Sequence, residues 1–152
     1  MIGRLVQRAD FERSLATSVR SRSAHFAVHH VAARPTPSHR PAIAVLVSEL
    51  STTPAPICPQ PVDDPLTGHW IGCVVPKRHA RRAVTRSLLK RQIRGVFSQH
   101  ACRLPAGQWL VRLRQPFGTV KFGSASSTAL RRAARDELEA LLSRAAAAAA
   151  GW

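Results

Sequence analysis

The chain is poor in acids. It sets 8 aspartates and glutamates against 23 lysines and arginines, for a net charge of +15 and a sequence pI near 11.8. Residues 65–135 contain no Asp or Glu, while the same stretch carries fifteen basic residues. Solvated surfaces ordinarily mix the two signs, so a one-signed block of this length implies a polyanionic partner, nucleic acid before a membrane surface. The same scarcity excludes most self-contained hydrolytic chemistry, which needs paired carboxylates, a metal cluster or an activated nucleophile. Asp63 and Asp64 are adjacent but lie with Glu49 in a proline-rich stretch, and the other five acids fall toward the two ends, so a two-metal nuclease site lacks its ligands.

Long apolar runs are also missing. No segment approaches the roughly 20 residues of a membrane span, and the N-terminal residues lack the positive-then-apolar pattern of a secretory signal. Three cysteines, Cys58, Cys73 and Cys102, form no CxxC pair or metal-like cluster, and an odd count fits a reducing compartment. A cytoplasmic protein is expected. Lysine is scarce as well: three against twenty arginines. Compositional bias toward Arg and Ala accounts for much of that preference, as the six alanines at 145–150 indicate, but not for the missing acids. Planar guanidinium groups can still grip phosphate through two parallel hydrogen bonds.

The 152 residues suit one domain, and an apolar fraction of 45% is enough for a core. Residues 5–16 place Leu5, Phe11 and Leu15 on a loosely helical face. Residues 25–33 (HFAVHHVAA) read as a strand, on which the adjacent His29 and His30 point to opposite faces. Most of the eleven prolines fall in 34–68, predicting a loop-like insertion interrupted by the apolar run 42–47, a candidate edge strand. Residues 70–75 (WIGCVV) and 108–113 (QWLVRL) read as buried strands. A helix is expected over 83–98, and a longer one over 126–144 with Leu130, Leu138, Leu141 and Leu142 facing the core. The expected class is α/β, in the order α-β-β-α-β-α, with one domain over 1–144 and an alanine-rich tail at 145–152.

The most informative constellation spans residues 77–94 (KRHARRAVTRSLLKRQIR), with eight basic residues in eighteen and no acid. A helix here turns Leu88, Leu89, Ile93 and Val96 inward while Arg86, Lys90, Arg91 and Arg94 face solvent, spaced to meet successive phosphates. An ordinary soluble helix would offset such like charges with Asp or Glu four residues away.

These residues resemble the protein subunit of bacterial ribonuclease P. That family carries an Asp-Phe pair in its first helix, an aromatic-bearing strand, a Val-x-Lys-Lys turn and then Ala-x-x-Arg-Asn-Arg-x-Lys-Arg-x-x-Arg on a helix. Here stand Asp10-Phe11, Phe26, Val75-Pro76-Lys77-Arg78, and Ala83 followed by Arg86, Lys90, Arg91 and Arg94 in the same spacing. Ser87 replaces the usual Asn and Leu88 the second Arg, so those two contacts are not carried over. The proline-rich insertion and the alanine tail have no counterpart in the family pattern.

The resemblance implies a small α+β sandwich with a left-handed βαβ crossover, as in ribosomal-protein-type RNA-binding domains. It implies that Lys77, Arg78, Arg81, Arg82, Arg86, Lys90, Arg91 and Arg94 bind the phosphates of a catalytic RNA subunit, one protein per RNA, with no membrane partner. By the same resemblance, Phe11, Leu15, Ala27 and His29 line a cleft for the 5′ leader of precursor tRNA. Leu15 and His29 stand where aromatics are common, which implies a weaker or more electrostatic grip on leader bases. Catalysis with Mg2+ then belongs to the RNA, and no residue of this chain is catalytic or holds a metal. Two rivals remain at this stage: a generic basic RNA-binding or ribosome-associated protein, and a nuclease acting alone.

Overall fold

Apolar alternation along the central strands and a 3.6-residue apolar stripe on two helices bring the chain into two layers packed on one sheet. The structure is a computed structural model and describes residues 2–37, 66–118, 121–122 and 127–150. Its elements are β1 (Ile2–Arg4), α1 (Arg8–Ala16), β2 (Val19–Arg22), β3 (Phe26–Val31), β4 (His69–Val74), α2 (Ala83–His100), β5 (Gly107–Leu113) and α3 (Thr128–Ala150), with a short 3-10 turn at Ala101–Arg103. The sheet order is β1-β4-β5-β3-β2. β4 lies parallel to both β1 and β5, whereas β3 runs antiparallel to β5 and to β2. Helix α2 therefore forms the crossover between the parallel strands β4 and β5.

One sheet face carries the main core. Phe26, Val28, Ile71, Trp109, Val111 and Leu113 point into it and meet Leu89, Ile93 and Phe97 of α2 and Leu138, Leu141 and Leu142 of α3. The central position of β5 explains its near-continuous burial, since both of its faces are covered. Trp109 is fully buried, and its indole nitrogen donates to Pro105 O at 3.0 Å, which satisfies the one polar atom of the ring. Ser127 caps α3 by accepting from Leu130 N at 3.1 Å.

Helix α1 covers part of the opposite face, against β5 and β3. Gly72 permits this approach: a Cβ there would lie 2.8 Å from Leu110 Cδ1 and 3.0 Å from both Leu5 Cδ1 and Phe11 Cε1. Asp10, wholly buried, fastens the helix. Its carboxylate accepts from Thr36 N at 3.0 and 3.1 Å and from Thr36 Oγ1 at 3.0 Å. Arg13 stands 3.7 Å away, and Gln108 Nε2 donates to Arg34 O at 2.7 Å beside it.

Every expected element that falls within the described residues is present, and two strands are added. β1 takes residues 2–4, ahead of the segment 5–16 expected to be helical, whose helix begins only at Arg8, and β2 occupies the link before β3. The last helix runs on to Ala150, with Ala145 buried in the core. His29 and His30 do face opposite sides: His29 Nδ1 meets Thr17 O at 2.9 Å, whereas His30 packs on Trp109. The run 42–47, His39, Cys58, Asp63 and Asp64 lie outside the described residues.

Candidate nucleic-acid interface

The basic segment begins where β4 ends. After Val75 the chain turns at Pro76, whose carbonyl accepts from His79 N and Ala80 N, each at 3.1 Å. That turn leaves Lys77, Arg78, Arg81 and Arg82 exposed ahead of α2. Helix α2 then seats Leu88, Leu89, Ile93, Val96 and Phe97 in the core, which fixes the orientation of the remaining side chains. Arg91 is exposed, while Arg86, Lys90 and Arg94 are half-buried.

Arg86 departs from simple projection into solvent. Its Nη1 donates to Ala80 O at 3.0 Å and Arg81 O at 2.7 Å, so the side chain braces the loop at the helix start. This matters locally, because the N-cap residue Arg82 makes no side-chain cap. Lys90 and Arg94 lean toward β4. Burial pushes the Cys73 thiol up, and the charges of Arg94, Lys90 and Arg4, with a hydrogen bond from Arg94, pull the other way. Arg4 of β1 thus joins the cationic face of α2. Nothing in the pattern of residues 2–4 marked it; only the parallel pairing of Arg4 with Ile71 brings it there. Among the described residues, ion pairs form at Arg8–Glu12, Arg13–Asp10, His25–Glu137 and Arg135–Glu139. None of them neutralises the loop or α2.

The second set of residues lies on the α1 side of the sheet. Phe11 is half-buried beside Gly72, and Leu15, 38% exposed, stands at the outer end of α1. Ala27 and His29 are 2% and 4% exposed, and His29 is engaged with Thr17 O. The four therefore share one side of the sheet, with Leu15 and Phe11 presenting the accessible surface and Ala27 and His29 beneath it.

Compared with known proteins, residues 3–145 match the family model described as Ribonuclease P. The chain belongs to the Ribonuclease P protein family. It is 44% identical over 84 residues to the Ribonuclease P protein component of Bordetella parapertussis, a match covering 55% of this chain and 64% of that protein. With the component from Paraburkholderia xenovorans it shares 40% identity over 76 residues, 50% of this chain and 55% of the relative. The matches thus span less than two thirds of these curated relatives' own length. The solved structure of the Staphylococcus aureus RNase P protein superposes with a TM-score of 0.53 at 22% identity, covering 92% of each chain. That likeness establishes the shared mixed α/β fold, a five-stranded open sheet with three helices.

Within the Ribonuclease P pattern, the two departures acquire a structural meaning. Leu88 is buried against the core, so the position that otherwise carries the second arginine has become a packing residue here. Ser87 is exposed at the adjoining position.

Proposed function

We propose that this chain is the protein subunit of ribonuclease P, binding the catalytic RNA subunit through α2 and its preceding loop and assisting removal of the 5′ leader from precursor tRNA. The observation that carries the reading is the membership in the Ribonuclease P family together with a helix whose apolar side is committed to the core and whose cations meet no carboxylate among the described residues. Lys77, Arg78, Arg81, Arg82, Lys90, Arg91 and Arg94, joined by Arg4, supply phosphate contacts; Arg86 shapes the loop and offers its remaining N–H groups. Phe11, Leu15, Ala27 and His29 form the leader side. The protein positions RNA and does not react. Among the described residues no group of three His, Cys, Asp or Glu could hold a metal ion, and the reading assigns Mg2+ and the cleavage step to the RNA. No described helix is long and apolar enough to cross a membrane; the reading places the protein in the cytoplasm, one copy per RNA subunit.

The test is processing of a precursor tRNA at low magnesium by the RNA subunit alone, by protein alone and by the mixture. Stimulation in the mixture with none from protein alone is expected. Cleavage by protein alone would move the active site onto this chain, and an absence of stimulation with equal binding to unrelated RNAs would reduce it to a generic basic RNA-binding protein.

A further inference from the structure

The turn between β2 and β3 collects arginines from three elements. Arg144 of α3 donates from Nη2 to Arg22 O at 3.2 Å, and Arg114, just past β5, donates from Nη1 to Ser23 O at 3.5 Å and from its amide to His25 O at 2.7 Å. The strand register sets Arg22 and Arg112 directly opposite Ala27 on its two sides, in one cross-strand row. Their stems thus begin two strand spacings apart, about 10 Å. The acid that reaches this turn, Glu137, is consumed within it, accepting from Ser23 Oγ, His25 N and the His25 ring. No ion pair among the described residues neutralises any of these arginines.

Gathering four arginines around a single carboxylate, Glu137, leaves a net positive charge that raises the free energy of the isolated chain, and a bound anion lowers it. Main-chain carbonyls hold Arg114 and Arg144 by one N–H each, which leaves further donors of each guanidinium for a two-pronged phosphate contact. We propose that Arg22, Arg112, Arg114 and Arg144 form a second phosphate-binding surface for an RNA backbone, built from elements other than α2 and its loop. Arg112 also stands opposite Val74, the residue that leads into the Lys77-Arg78 turn. The two basic surfaces therefore meet at the same end of the sheet, and one RNA strand can follow both. The choice of RNA as the phosphate source rests on the functional reading above.

The test compares wild type with Arg22→Gln/Arg114→Gln/Arg144→Gln and with the corresponding triple lysine variant. Glutamine retains a donor for the carbonyls, and melting curves of each protein show whether the turn remains folded. Binding is measured against salt in two arms: full-length protein to the RNA subunit, and precursor tRNA to the preassembled ribonucleoprotein. We expect the slope of log K against log salt to fall by about two to three in at least one arm for the glutamine variant, with lysine restoring most of it; the affected arm identifies the RNA. Unchanged slopes in both arms would overturn the proposal, as would a loss that lysine does not restore. Wild-type protein that does not bind the RNA subunit would instead remove the functional reading, a separate outcome.

Discussion

Asp10 shows how a residue legible as part of a motif takes its structural role from contacts the sequence does not display. Among basic neighbours on a short helix it resembles a solvated acid, yet it is buried and satisfies both the amide and the hydroxyl of Thr36. Truncation would leave those donors unpaired, at about 1–3 kcal/mol. Asp10→Ala is expected to lower the urea midpoint accordingly, and Asp10→Asn, which keeps an acceptor, to lower it less; equal losses would show that charge rather than hydrogen bonding matters. Gly107 is constrained differently. Its φ of +132° lies where side chains are strained, and a Cβ would run into Val31 O. Gly107→Ala should destabilise by about 1–3 kcal/mol. Gly95, exposed within α2 with nothing near its virtual Cβ, should show the reverse on substitution by Ala, a gain of about 0.5–1 kcal/mol. Denaturant curves on both variants check the contrast, and a gain at Gly107 would contradict the strained geometry.

At the scale of elements, the proposed function makes α2 join folding and binding in one helix. Its apolar stripe was legible because Leu89, Ile93, Val96 and Phe97 recur at helical spacing, and its polar side because no acid interrupts it. The freedom of each cation was not legible: the tethering of Arg86 depends on carbonyls six and five residues upstream, placed by the turn at Pro76. Lys90→Ala/Arg94→Ala is therefore expected to reduce the salt slope of RNA-subunit binding by about 1.4–1.8 with the melting temperature little changed. Arg86→Ala should lower both, and a purely electrostatic effect there would refute its bracing role. β1 and β2 escaped sequence reading for a related reason. IGR and VRSR have too few apolar residues to show alternation, and they become strands only by pairing with β4 and β3. Residues 27 and 29, proposed for the leader side, were legible as neighbours on one strand, but their burial under α1 depends on the close approach at Gly72.

At the scale of the whole molecule, acid and salt act on the same charge excess through different groups. Burial draws the His30 pKa below its ordinary 6.5; the hydrogen bond its ring donates to the Ala106 carbonyl opposes this, while Arg20 and His69 add to it. The unfolded chain then binds the proton more readily, so this contribution is whole above pH 6.5 and declines as pH falls below it. Burial raises the Glu137 pKa, but hydrogen bonds from Ser23, His25 N and the His25 ring, with the His25 charge, together hold it below 4.5. Its contribution is present above 4.5 and is lost as pH drops through the lower folded value. Two separate losses of stability are expected on acidification, the first absent in His30→Gln and the second in Glu137→Gln; a flat urea midpoint from pH 7 to pH 5 in the wild type would refute the first. Salt should act in opposite directions on folding and binding. Screening relieves the self-repulsion of a chain with net charge +15, so the free protein should melt at a higher temperature as salt rises, while affinity for RNA falls because releasing condensed counterions into a more concentrated salt solution gains less. A free-protein melting temperature that falls with salt would mean that attractive pairs, not uncompensated arginines, dominate the surface.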